Sequence, residues 1–231
     1  MIHMNAVNQK YGGTQILWDL NMDIQEGSCT CIMGRNGVGK TTLLKCIMGL
    51  LPVATGEIRL KETLLNSQAA EKRPYLGIGY VPQGREIFPM LTVEENLRLG
   101  LPVRKDKATQ IPDKIFELFP VLADMLHRRG GDLSGGQQQQ LAIGRALVLD
   151  PKVLILDEPN EGIQPNIVKQ IGDVILKLNE EEGMTVILVE QKLGFARRVG
   201  KEFRLMEKGR VVASDTMDKL SDKLIAQHLA V

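Results

Sequence analysis

Cysteine is sparse in this 231-residue chain: Cys29, Cys31 and Cys46 make an odd count with no Cys/His spacing suited to a metal. A disulfide framework is thereby excluded, and the thiols read as small apolar fillers of buried strands or helices in a reducing cytosol. An excess of one charge is lacking as well. Lys plus Arg total 29 and Asp plus Glu 28, a formal net charge of +1, so no global field points to nucleic acid or to an anionic membrane surface. No apolar run approaches the roughly 20 residues of a membrane span, and residues 1–5 lack a signal-peptide core. The expectation is a soluble chain that meets any membrane through another subunit. Repeats, low-complexity tracts and long linkers are also missing. What is present is 43% hydrophobic residues, ample for one large domain or two closely joined subdomains.

The most informative segment is Gly34-Arg35-Asn36-Gly37-Val38-Gly39-Lys40-Thr41-Thr42, which follows the pattern G-x-x-x-x-G-K-[ST]. Its glycines let the backbone turn tightly and aim N–H groups at phosphate oxygens. Lys40 can then reach the β- and γ-phosphates, and the Thr41 hydroxyl can ligate Mg²⁺. Context decides whether such a pattern is a phosphate loop. Residues 28–33 form a short β-branched and apolar run, while residues 43–49 carry apolar side chains at helical spacing before Pro52. Strand, loop and helix therefore stand in the required order for a nucleoside triphosphate.

Residues 2–8 and 15–24 read as strands around the turn-like Tyr11-Gly12-Gly13, and residues 56–60 as another short strand. Residues 78–81, 153–156 and 185–189 lack polar alternation, as expected of parallel strands buried on both faces. Between about residue 85 and residue 145 the pattern turns helical: 93–99 behind a Thr92 cap, 111–118, 121–126, and a long segment opening at Ser134. A helix over 193–199, a hairpin around residues 207–210 and a short amphipathic ending over 221–229 complete the reading.

Val153-Leu154-Ile155-Leu156-Asp157-Glu158-Pro159 is an apolar strand ending in two carboxylates. Open parallel sheets bind ligands at their strand ends. Asp157 there can hold the Mg²⁺ water shell, and Glu158 can polarise a water for in-line attack on the γ-phosphate. A third piece is Leu133-Ser134-Gly135-Gly136-Gln137. Ser134 and the glycine amides open a helix whose N-terminal dipole attracts an anion.

Taken in order, the three motifs resemble those of the ATP-binding cassette (ABC) ATPases, and the resemblance covers essentially the entire chain. It implies an α/β P-loop NTPase fold: a RecA-like parallel-sheet core, an N-terminal antiparallel β subdomain and an inserted α-helical subdomain. The expected division of the single nucleotide-binding domain, 1–231, is core and β subdomain at 1–84 and 146–231, with the helical subdomain at 85–145. By the same resemblance Tyr11 matches the aromatic that stacks on adenine, and Gln83 the glutamine that senses Mg²⁺ and touches a transmembrane partner. Gly34, Asn36, Gly37, Gly39, Lys40, Thr41 and Thr42 would bind nucleotide in this chain, and Ser134, Gly136 and Gln137 would face nucleotide bound to the opposite subunit. ATP and Mg²⁺ are the implied cofactors, with Thr41, Gln83 and Asp157 around the metal and Lys40, Glu158 and Gln191 as catalytic groups.

Two positions depart from the family pattern. Where a histidine usually follows the last core strand, this sequence has Val189-Glu190-Gln191, and none of His3, His127 and His228 fits the position. Gln191 can hydrogen-bond a phosphate oxygen but has no ionisable ring, which leaves Glu158 as the base and Gln191 to orient. After the acidic pair, residues 160–165 replace the usual small-residue and Asp-containing loop, and Glu161 is a competing base.

Residues 84–89 and 91–97, with Gln191, look like importers of branched-chain amino acids and their urea and short-amide relatives. Residues 128–132, 137–140 and 161–165 look more like the urea-transport ATPase of the second type, so uptake of urea or short amides is the expected role, with branched-chain amino acids as the alternative. The partners implied are a second ATPase subunit, two membrane permeases, and indirectly an extracytoplasmic binding protein; in isolation the chain would pair with a second copy or stay monomeric without nucleotide. That places the chain on the cytoplasmic face of the membrane, with no nucleic acid partner. A non-transport cassette acting on DNA, ribosomes or cluster assembly is the rival, disfavoured by the missing coiled-coil insertion, the single cassette and the balanced charge. A small-molecule kinase built on the same loop would leave residues 133–137 without a use.

Overall fold

The computed structural model describes residues 1–229. Its first layer is an antiparallel sheet in the order β2-β1-β4-β5, formed by β1 (Ile2–Tyr11), β2 (Thr14–Ile24), β4 (Thr55–Leu60) and β5 (Thr63–Leu64). The second is a sheet in the order β10-β9-β3-β8-β7-β6, from β3 (Cys29–Met33), β6 (Ile78–Val81), β7 (Val153–Asp157), β8 (Thr185–Val189), β9 (Glu202–Glu207) and β10 (Arg210–Thr216). Strands β6, β7, β8, β3 and β9 run parallel, and β10 returns antiparallel through the hairpin at residues 207–210. Eight helices accompany the sheets among the described residues: α1 (Lys40–Ile47), α2 (Val93–Arg98), α3 (Asp113–Leu118), α4 (Pro120–Asp124), α5 (Gly135–Val148), α6 (Pro165–Leu176), α7 (Leu193–Val199) and α8 (Asp222–His228).

Every residue of β3, β7 and β8 is buried, which is what covered faces on both sides of a parallel sheet require. Successive residues still point to opposite faces, and the two faces build two different cores. Cys31, Leu154, Leu156, Val186 and Leu188 belong to a core shared with helices α2 to α7. Ile32, Val153, Ile155, Ile187 and Val189 pack instead with α1 and the antiparallel sheet. One sheet therefore carries the phosphate-loop helix on one side and the Ser134 helix on the other.

Local chemistry sets the helix starts that position the site. Thr92 caps α2 through a reciprocal box with Glu95, and Ser134 caps α5 through the same box with Gln137. Helix α5 continues past residue 145 to Val148, so it reaches from the helical segment into the core beside β6. Strand β1 runs on to Tyr11 rather than ending near residue 8, because bulges let its pairing with β2 continue to the tight Gly12-Gly13 turn. Helix α6 and its π-turn continuation over Lys177–Glu181 have no counterpart in the sequence reading. Its start bears no Ser, Thr, Asp or Asn cap, only Gln164 without a capping bond and Pro165 in the first turn, although Ile167, Val168, Ile171, Val174 and Ile175 recur at helical spacing.

Candidate functional site

The chain leaves β3 at Met33, turns through residues 34–39 and enters α1 at Lys40. Gly39 has φ +105°, a left-handed backbone that favours glycine, and a Cβ there would also crowd Leu17 Cδ2 at 2.9 Å. No side chain caps α1, which leaves its first-turn N–H groups free for an anion. Lys40 is buried at the loop centre, where its Nζ donates to the Gly34 carbonyl at 2.8 Å and the Arg35 carbonyl at 2.9 Å. Burial lowers the pKa of that ammonium while Glu158 and Asp157 act to raise it. Above the loop lies a cleft of about 790 Å³, lined among others by Asn36, Gly37, Gly39, Lys40, Thr41 and Thr42.

Glu158 stands across the same cleft, just beyond β7, with its amide donating to the Val189 carbonyl at 2.9 Å and its backbone at φ +48°. A non-glycine residue in that left-handed region is held there by its surroundings. Gln191 Nε2 donates to Glu158 Oε1 at 2.5 Å and to Asn36 Oδ1 at 2.7 Å, tying the carboxylate to the phosphate loop. Gln83 Nε2 reaches Glu161 Oε2 at 3.0 Å and, more weakly, Glu158 Oε2 at 3.4 Å. Glu158 thus sits accessible at the cleft wall, acceptor-only when ionised and aimed by two amides, the placement a general base needs.

Asp157 is the buried member of the acidic pair. It is 1% exposed, and neither carboxylate oxygen has a well-formed hydrogen bond. Burial pushes its carboxyl up to about 6, an effect the adjacent Thr41 hydroxyl only partly offsets. A shift of that size is worth about 3 kcal/mol against the ionised form. Orphaned carboxylate oxygens beside a threonine hydroxyl are the hard-oxygen donors Mg²⁺ takes when substrate phosphates supply the rest. Among the described residues no three acidic, His or Cys side chains are placed to hold a metal ion by themselves, so a bound Mg²⁺ would take further ligands from phosphate.

The remaining sequence-derived residues fall in three places. Gly34 lies behind the cleft as an acceptor for Lys40. Tyr11 is half exposed at the end of β1, outside the cleft lining. Ser134, Gly136 and Gln137 border a separate cleft of about 730 Å³, shared with Gln140 and with α6 residues Ile167 and Gln170. Within one chain, then, the phosphate loop and the Ser134 helix are not brought together. The Ser134 cap is already satisfied, its hydroxyl accepting from the Gln137 amide and Gln137 Oε1 accepting from the Ser134 amide at 2.9 Å.

The family model described as "ABC transporter" matches residues 17–161, more than half of the chain. The chain belongs to the ABC transporter family. The "High-affinity branched-chain amino acid transport ATP-binding protein BraG" of Pseudomonas aeruginosa is 41% identical over 94% of this chain and 93% of its own length. The "Probable branched-chain amino acid transport ATP-binding protein LivF" of Archaeoglobus fulgidus is 38% identical over 95% and 94%. Among solved structures, the ATP-binding cassette MJ0796 in its dimeric post-hydrolysis state bound to ADP and Pi superposes with a TM-score of 0.83 at 27% identity, covering 94% of this chain and 99% of that one. The fold is that of an ABC cassette, and the chain is an ATP-binding, ATP-hydrolysing ABC subunit.

Several residues of this ABC cassette carry the site in structural roles the sequence did not assign, although residues 84–89, 91–97 and 137–140 stood out there as marks of a transporter type. Arg85, at φ +72°, donates to Gln138 Oε1 at 3.1 Å, and Arg145 donates to the Glu86 carbonyl at 2.8 Å, so the loop after Gln83 is fastened to the Ser134 helix. Asn96 is fully buried and bonds Phe88 through both amide and carbonyl, fixing the next stretch of the same loop. The hairpin at residues 207–210 braces the phosphate loop, its Gly209 amide donating to the Val38 carbonyl at 3.0 Å and its carbonyl accepting from the Trp18 amide at 3.0 Å. Gly209 offered a sequence signal for its place, a glycine between charged residues in a hairpin, while the contacts of Arg85 and Arg145 join residues more than 50 apart.

Proposed function

We propose that this chain is the energising subunit of a membrane importer for branched-chain amino acids, hydrolysing Mg²⁺-bound ATP while paired with a second cassette beneath two permeases. The observation that carries it is the cleft where the phosphate loop, Glu158 and Gln191 converge, in a chain that runs almost the full length of two branched-chain amino acid transport ATP-binding proteins. Thr41, Asp157 and Gln83 would hold the ion, which supplies charge neutralisation on the phosphates. Lys40 exchanges its loop carbonyls for phosphate oxygens, Glu158 takes a proton from the attacking water, and Gln191 keeps Glu158 aimed. Gly34, Asn36, Gly37, Gly39 and Thr42 shape the cradle, and Tyr11 stacks on the base.

The separate cleft at Ser134 supports a composite site, in which Ser134, Gly136 and Gln137 of one cassette close on nucleotide held by the other. Residues 85–145 act as the helical arm of the single domain, and 1–84 with 146–231 as its catalytic core. Among the described residues no helix is long and apolar enough to cross a membrane, which suits peripheral attachment at the cytoplasmic face with an extracytoplasmic binding protein delivering cargo. Nucleic acid is not a partner, in keeping with the balanced charge.

Urea or short amides are the second reading, resting on the likeness of residues 128–132, 137–140 and 161–165 to urea-transport ATPases. The relatives named above favour branched-chain amino acids instead, and that reading leads. Proteoliposomes holding this chain, the second cassette, the two permeases and their binding protein decide between them. ATP-driven uptake of leucine supports the proposal; uptake of urea without leucine reverses the order, and uptake of neither removes both.

A further inference from the structure

Beneath Glu158 and Gln191 lies a set of buried polar groups that phosphate binding does not itself require. Glu190 is 3% exposed and Asn160 fully buried. Glu190 Oε1 accepts from the backbone amides of Gln191 at 2.7 Å and Lys192 at 2.8 Å, while Oε2 accepts from Asn160 Nδ2 at 2.6 Å. Lys192 closes the ring, its Nζ donating to the Asn160 carbonyl at 2.9 Å. Glu190 enters none of the ion pairs among the described residues.

Taking a carboxylate out of water costs several kcal/mol, and without a cation only converging donors offset it. Three short charge-assisted hydrogen bonds do so here. Their origins are what matter: two belong to the loop after β8, the third to the loop after β7. Glu158 opens the second of these loops two residues before Asn160, and Gln191 directly follows Glu190 in the first. The contact between Gln191 and Glu158 at the cleft is therefore anchored on both sides by one carboxylate underneath.

We propose that Glu190 is a positioning residue for hydrolysis, whose buried carboxylate joins the loop after β7 to the loop after β8 so that Glu158 and Gln191 are set in place as one unit. Gln191 has no ionisable ring, so its contribution lies in its direction, and Glu190 fixes that direction through the backbone. The proposal rests on the assignment of Glu158 and Gln191 to hydrolysis made above.

The test measures kcat and KM for ATP hydrolysis, and ATP affinity by equilibrium dialysis, in the full-length chain. Asn160→Ala removes the bridging arm but leaves both backbone caps on Glu190, so it probes the bridge without exposing the carboxylate's main donors. It should lower kcat about 10- to 100-fold, the penalty of misplacing a reacting group by about 1 Å. KM and ATP affinity should stay within about threefold, because the phosphate cradle is untouched. Glu190→Ala should show the same split, and the double variant should be no worse than Glu190→Ala alone, as expected for members of one network. Glu190→Gln should regain most of kcat, since the amide oxygen can keep the backbone caps and the unpartnered Asn160 Oδ1 can turn to accept from the new NH₂. Wild-type kcat in Asn160→Ala, a KM rise without a kcat loss, or additive losses would each overturn the proposal. Glu158→Gln run alongside separates the two failures: if it abolishes hydrolysis while Asn160→Ala does not, the bridge alone is wrong, and if it leaves hydrolysis intact, the underlying assignment falls as well.

Discussion

The two clefts of this cassette are built on opposite principles. At the phosphate loop the polar groups are charged, partly buried and occupied by one another: Lys40 rests on loop carbonyls, Gln191 bridges Asn36 and Glu158, and Asp157 waits with neither oxygen paired. At the Ser134 helix the lining mixes glycines, amides and apolar side chains with the single carboxylate of Asp173 and no cation, and the capping box already satisfies the first turn. A site of the first kind can capture a polyanion alone, because its internal contacts exchange for stronger charge-assisted ones. A site of the second kind offers a dipole and no cation, so it acts on a polyanion that something else holds. Binding and turnover should therefore separate, with binding confined to the first cleft and turnover requiring both.

Glu158→Gln attacks the comparison at its strongest point. The change keeps the shape and, with its one amide oxygen turned to Gln191, the shorter of the two bonds, but it loses the weak bond from Gln83 and removes the proton acceptor. Hydrolysis should fall about 10²- to 10⁴-fold, the range for loss of a general base. ATP affinity should hold, and ATP-bound dimers should accumulate, visible as a doubled mass in size exclusion with light scattering. Ser134→Arg comes next. A long cation at the second cleft should cut hydrolysis about 100-fold, the scale set for losing a pre-organised donor to the transition state, yet leave ATP binding to the single chain unchanged. Weakened binding in a monomer would show that the two clefts are not independent.

How far the sequence revealed this contrast depends on the separation of the residues involved. Phosphate loop, acidic pair and Ser134 cap are contiguous motifs whose geometry follows from local backbone rules, and strands β6 and β8 begin and end where apolar runs predict. Helix α6 escaped because its start carries no capping side chain, although the stripe from Ile167 to Ile175 was there to be read. The anchoring of Glu158 escaped for a different reason. Glu190 and Asn160 are 30 residues apart, Gln191 and Asn36 are 155 apart, and no local pattern marks a carboxylate that will be buried by tertiary folding. The absence of histidine after β8 was legible as a gap; that an amide fills it by touching both the loop and the base was legible only in three dimensions.

A smaller effect is expected from Asp157→Asn. The buried carboxylate carries a burden of about 3 kcal/mol in its ionised form when nothing occupies the site. Neutralising it should stabilise the nucleotide-free protein by about 2 kcal/mol, seen as a higher Tm, because active sites keep strained groups at the expense of stability. The added stabilisation by Mg²⁺ and ATP should shrink in the same variant. An unchanged or lower Tm without ligand would mean that Asp157 is satisfied by its neighbours.

The cysteines give the finest comparison, since they fall on opposite faces of the same sheet. Cys46 lies on α1, in the core that carries the phosphate loop, and burial pushes its thiol up to about 12. Cys29 and Cys31 lie on β3 in the core that carries the Ser134 helix, and the Cys31 thiol is raised first by its contact with Cys29 and then by burial. None should react with iodoacetamide at neutral pH except through local opening, because all three are buried out of the reagent's reach. ATP grips the loop that leads into α1, so it should suppress opening around Cys46, slowing alkylation about tenfold at a concentration ten times its dissociation constant. Cys29 and Cys31 have no such ligand on their side of the sheet in a single chain, and their rates should stay the same. Peptide mass mapping of the alkylated sites reads all three together. Equal protection on both faces would mean that nucleotide stabilises the whole sheet at once, and that the two clefts are coupled through it before any partner arrives.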